Sequence, residues 1–142
     1  MIREEDQLQR AIVQVLHMAA APGVWWFAVP NGGYRHFPEA RILKGLGVRA
    51  GVHDIILCIP PDGKMAGLEL KSSRGRTSAA QDQAHDDLKT AGGLSSTANN
   101  LEDAINTLIY WGAVQSNRIK ITPRLLPGRL IKPTARIPAA GV

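Results

Sequence analysis

The spacing of hydrophobic positions changes repeatedly along the chain, and each change marks an element. Leu8, Ile12, Val15 and Leu16 recur at helical spacing, which predicts a helix over residues 4–20. The carboxylates of Glu4, Glu5 and Asp6 suit the positive end of its dipole, and Pro22-Gly23 ends it. The aromatic run Val24-Trp25-Trp26-Phe27-Ala28-Val29, bounded by Pro30, reads as a buried strand. Asn31-Gly32-Gly33 is a turn or loop, and residues 38–46 form a short helix closed by Gly45 or Gly47. Residues 54–59 and 66–71 read as strands, 78–91 as a helix stopped by Gly92-Gly93, and 94–98 as a short fourth strand. Residues 101–112 form a last amphipathic helix, with Leu101, Ala104, Ile105, Leu108 and Trp111 on one side. Beyond Asn117, four prolines among basic residues read as an extended arm, with a strand at 118–121 as its one candidate element. The order helix, strand, helix, two strands, helix, strand, helix describes an α/β domain with a mixed sheet of about four strands.

The two central strands carry the candidate chemistry. They are joined by Pro60-Pro61-Asp62-Gly63, a turn-forming connection short enough for an antiparallel hairpin. If Ile59 and Lys64 flank this loop, Asp54 falls directly opposite Glu69, with side chains on one face about 5 Å apart. Lys71 follows two residues later on the same face. Ile55, Leu57, Ile59, Leu68 and Leu70 take the other face. Two converging carboxylates repel each other unless a cation lies between them. Mg²⁺ is commonly held by one or two carboxylates together with water and phosphate oxygens. Such an ion can activate water, and a nearby lysine can stabilise developing negative charge. The plain alternative is a solvated strand face with a cross-strand lysine–carboxylate pair.

Charge adds less than it first promises. The 142 residues carry 17 basic and 12 acidic groups, a formal net charge of +5. Residues 118–142 contain Arg118, Lys120, Arg124, Arg129, Lys132 and Arg136 and no Asp or Glu, so the excess belongs to the arm. Within the body, Arg35, Arg41, Lys44, Arg49, Arg74 and Arg76 flank the candidate site in sequence, which favours phosphate contact and salt-sensitive binding. Hydrophobic content of 44% fits one ordinary globular domain rather than a disordered chain. The single Cys58 forms no intramolecular disulfide, so a reducing, cytoplasmic setting is expected. The uncharged stretch 11–34 is broken by Pro22, Gly23 and Pro30 into pieces too short for a bilayer, and the acidic start argues against a signal peptide.

Four segments in order carry a family resemblance: Asn31-Gly32-Gly33-Tyr34-Arg35, residues 47–54 ending in His53-Asp54, Glu69-Leu70-Lys71, and Gly75-Arg76-Thr77-Ser78-Ala79-Ala80-Gln81. Together they resemble the virus-type replication-repair nuclease (VRR-NUC) domain of the PD-(D/E)XK nuclease superfamily, over roughly residues 4–112. The resemblance implies a restriction-endonuclease-like αβββαβ core and Mg²⁺- or Mn²⁺-dependent DNA cleavage, in the cytoplasm of a bacterium or a phage-infected host. Small members resemble homodimeric Holliday-junction resolvases, whereas larger relatives cut flaps. It makes residues 1–117 the nuclease-like domain and 118–142 an added basic arm. It implies metal binding at Asp54, Glu69 and Leu70, and catalytic roles for Asp54, Glu69, Lys71, Gln81 and the helical Glu5, with Glu4 as its alternative. Asn31, Arg35, Arg49, Arg74 and Arg76 are the DNA-contact candidates. His53 stands where the family usually has proline, and it is expected to alter the local turn or to touch phosphate if protonated.

Each assignment has a plainer counterpart. Ser78 and Gln81 fit a helix capping box, and Glu5 fits a dipole partner. Trp25, Trp26 and Phe27 suit a core or a dimer interface better than base stacking. His85-Asp86 lacks the further ligands that a metal phosphohydrolase of the His-Asp type needs, and no zinc-ligand spacing is present. The rival functions are a flap or nicking nuclease and a non-catalytic DNA-binding protein that uses the basic arm.

Overall fold

The computed structural model describes residues 3–30 and 37–119, the side chains of 37 and 38 excepted. The expected strand at 118–121 begins at its edge: Arg118 lies in a 3-10 turn, Ser116–Arg118, and 120–121 fall outside the described residues. The arm beyond them, Asn31 and Arg35 also lie outside.

Helix α1 (Glu4–Ala19) is followed by β1 (Trp25–Ala28), α2 (Phe37–Gly45), β2 (Ile55–Ile59), β3 (Lys64–Leu70), α3 (Ala79–Thr90), β4 (Leu94–Ala98) and α4 (Leu101–Tyr110). The sheet order is β1-β2-β3-β4, antiparallel at the first two pairings and parallel at the third. This is the mixed four-strand sheet with flanking helices that the pattern of elements predicts.

The hairpin has the expected register: Ile59 pairs with Lys64, and Ile55 with Leu68. Its alternation divides the molecule into two layers. Ile55, Leu57, Leu68 and Leu70 turn to one face, where they pack with Ile12, Val15 and Leu16 of α1 and Ala104, Ile105 and Leu108 of α4. The opposite face carries Ile56, Gly67 and Glu69, and α3 approaches it through its one buried residue, His85. Burying a core side chain of this size stabilises by roughly 1.5–3 kcal/mol, so the α1/α4 layer supplies most of the packing. The α3 layer is polar and holds the candidate site.

Strand β1 departs from the expectation of a buried strand. It is the sheet edge, and Trp25 and Phe27 are 67% and 41% exposed. Only Trp26 turns inward, where its ring meets His17 edge-on at 4.9 Å. Aromatic composition made the segment look interior, but a strand with one neighbour and no helix over one face leaves alternate residues in water. No described helix is long and apolar enough to cross a membrane.

Candidate functional site

Three stretches of backbone bring the expected carboxylates together. Asp54 lies one residue before β2, and the hairpin register extended by one step sets it opposite Glu69. Its main-chain carbonyl accepts from Val29 N at 2.8 Å, and its Oδ2 accepts from Leu70 N at 2.8 Å. Leu70 itself sends its side chain into the core, so any role for it at a cation falls to its backbone.

Glu69 is 2% exposed. Its Oε1 accepts from Gln81 Nε2 at 2.5 Å and lies 3.5 Å from Lys71 Nζ. Its Oε2 is buried with no hydrogen-bond partner among the described residues. A buried carboxylate oxygen without a donor is costly. Burial pushes the Glu69 carboxyl up to about 7; Asp54 adds to the rise, Lys71 opposes it, and Glu5 adds a further part. Asp54 and Glu69 are the carboxylates of this site that could hold a cation. Among the described residues no three His, Cys, Asp or Glu side chains form a cage of their own.

Gln81 caps α3 and reaches Glu69 with the same side chain. Ser78 Oγ accepts from Gln81 N at 3.2 Å, and Gln81 Oε1 accepts from Ser78 N at 2.8 Å, completing the capping box. The amide nitrogen is thereby left to point at Glu69. The cap fixes one end of the side chain, so the other end has little freedom.

The segment between β3 and α3 is tied down from several directions. Glu5 Oε1 accepts from Ser72 N at 3.3 Å, and Glu4 Oε1 accepts from Ser73 N at 2.7 Å. Asn99 donates to the carbonyls of Ser72 at 2.7 Å and Gly75 at 3.1 Å. Both glutamates therefore reach the site loop, and of the two only Glu5 contributes to the field at Glu69. Asn99 escaped the sequence reading because nothing local ties it to a loop more than twenty residues away.

The cationic candidates are unevenly placed. Arg74 and Arg76 are exposed on the tethered loop. Arg49 is also exposed but pairs with Asp87 of α3 at 2.6 Å, so a phosphate there competes with a carboxylate. A cleft of about 1190 Å³ opens beside Gln81, with Leu43, Lys44, Val48, Arg49 and Val52 among its walls.

His53 does not face phosphate. It is 3% exposed, its ring stacks on His85 with centroids 4.1 Å apart, and Nε2 is hydrogen-bonded to Ser95 Oγ at 2.7 Å. Burial, with His85 adding to it, lowers its pKa to about 4. The ring is neutral near pH 7 and turned inward, which removes the expected phosphate contact.

No family model and no curated protein matches the chain. Several solved structures share its fold, two of them described as VRR_NUC proteins. One, described as a VRR_NUC domain, has a TM-score of 0.53 and 15% identity over 76% of this chain and 96% of that one. The other, described as a VRR_NUC domain protein, has a TM-score of 0.57 and 20% identity over 81% of this chain and 98% of that one. At these identities the likeness is one of fold. The chain has the architecture of a VRR-NUC domain, as the four sequence segments led us to expect.

Proposed function

We propose that the protein is a divalent-metal-dependent nuclease that hydrolyses phosphodiester bonds in DNA, acting on branched substrates such as four-way junctions as a homodimer. The observation that carries the reading is the Glu69 carboxylate: buried, opposite Asp54, with one oxygen held by Gln81 and Lys71 and the other without a partner among the described residues. Asp54 and Glu69 would hold Mg²⁺ or Mn²⁺ with the Leu70 backbone. Bound there, the ion supplies a Lewis acid for a phosphate oxygen and lowers the pKa of a water.

The remaining work belongs to the chain. Lys71 brings a fixed positive charge to the pair, able to orient an attacking water or to stabilise charge on the phosphorus-bound oxygens. Gln81 holds Glu69 in one rotamer, so its free oxygen points in one direction. Glu5 fastens the site loop beneath Arg74 and Arg76, which supply positive charge for the DNA backbone.

Incubation with a four-way junction, a flap and a linear duplex in Mg²⁺ or Mn²⁺ tests this reading. Junction cleavage lost with EDTA and with Asp54→Ala is expected. Cutting that survives either control would overturn the mechanism. Preferential flap cutting would move the substrate class. Binding without cutting under any divalent ion would leave a DNA-binding protein. Paired opposed cuts in a junction require two sites related by two-fold symmetry, so light scattering is expected to give the mass of a dimer.

A further inference from the structure

The residue before Asp54 is anchored by an arrangement that the chemistry above does not use. His53 is hydrogen-bonded to Ser95 of β4 and stacked, nearly parallel at 11°, on His85 of α3. Its ring lies over the backbone of β3, where residue 67 is glycine. A Cβ at Gly67 would lie 2.5 Å from His53 Cγ, closer than packed atoms approach, so the ring occupies the space that a side chain there would fill. Three elements distant in sequence thus converge on one imidazole. The peptide joining His53 to Asp54 is planar and rigid, and the Asp54 carbonyl is already fixed by Val29 N. Immobilising the His53 side chain therefore fixes the chain on the other side of the Asp54 Cα.

We propose that His53 is a positioning residue: pinned by Ser95, His85 and the bare backbone of Gly67, it sets the direction of the Asp54 carboxylate toward the divalent ion. The role rests on the reading of Asp54 as a metal-binding residue. The ring serves as a hydrogen-bonded wedge between β3, β4 and α3. His85 contributes its flat face to the stack, and its Nε2 is buried without a partner among the described residues.

The test is Mn²⁺ binding to the full chain, followed by loss of the free-ion electron-spin-resonance signal, beside thermal melts without metal. Asp54→Asn is expected to remove the wild-type binding. His53→Ala is expected to weaken it on the order of ten-fold, as removal of a group that orients a metal ligand does. Gly67→Ala should weaken binding and lower the melting temperature, because the new methyl displaces the ring. Adding His53→Ala to Gly67→Ala relieves that collision, so the melting temperature should recover while Mn²⁺ affinity stays low. His85→Phe keeps a flat ring and should keep the affinity that His85→Ala loses. Asp54-dependent binding unchanged by His53→Ala, or affinity that recovers with stability in the double variant, would overturn the positioning role. Mn²⁺ binding indifferent to Asp54→Asn would instead overturn the metal reading beneath it.

Discussion

Glu69 concentrates the cost of the site in one side chain. It keeps its proton to about pH 7 in the fold but only to about 4.5 in the unfolded chain. The raised value means that its contribution is fully favourable below the unfolded value and is lost as pH rises through 7, a difference on the order of 3 kcal/mol. In EDTA at pH 8, Glu69→Gln should therefore melt higher than the wild type, and at pH 4 the two should coincide. A divalent ion at pH 8 should raise the wild-type melting temperature and leave the variant unmoved. Lys71→Met should reduce cleavage by roughly 10²–10³, the range for removing one charge-stabilising donor, while the protein remains folded by circular dichroism.

At the level of elements, the site is built by ends rather than middles. The N-terminus of α3, the entry to β2 and the exit of β3 meet, and each is fixed by side-chain-to-backbone bonds. Gln81→Ala removes the returning half of the capping box and the bond to Glu69 together. It should cost about 1 kcal/mol of stability from the cap and also reduce cleavage, whereas Ser78→Ala should show mainly the stability loss. Gly51 shows how tightly the 47–52 segment docks on α3. Its φ is +79°, and a Cβ would collide with the backbone of Ala80 and Gln81. Gly51→Ala should lower stability by roughly 2 kcal/mol or more, strain and overpacking acting together, which denaturant titration would measure. Such connections also mark what sequence reading resolves least. Helix periods and the hairpin alternation are repeated over many residues and are legible. The bonds from Glu4, Glu5 and Asn99 to one loop each join residues far apart in the chain, and no local pattern announces them.

Across the whole molecule the two faces of the sheet have divided tasks. The α1/α4 layer is apolar and closes the core, and the α3 layer is polar and carries the carboxylates. On that second face β1 leaves Trp25 and Phe27 exposed, rings 5.2 Å apart. The body is nearly balanced in charge while the segment 118–142 holds six basic residues and no acidic ones. Deleting residues 122–142 should therefore weaken DNA binding most at low salt and flatten its salt dependence, with cleavage at saturating DNA unchanged. Filter binding across a salt series and single-turnover cutting measure the two separately. Loss of cutting at saturating DNA would assign the segment a part in the chemistry.

Local regularities determined the element order, the hairpin register and hence the opposition of Asp54 to Glu69, because a period-two strand and a four-residue connection leave one pairing that buries the apolar side. The same regularities placed Gln81 at the start of a helix, since a capping box is written within four residues. Tertiary structure alone decided which way His53 faces. A histidine after Val52 reads equally well as a phosphate contact, and it became a buried wedge because Gly67, Ser95 and His85 arrive from three other elements. It also decided that β1 is an exposed edge, because burial depends on what lies beyond a strand and not on its own side chains. Exposure and ring orientation are properties of neighbours, and the neighbours are chosen by the fold.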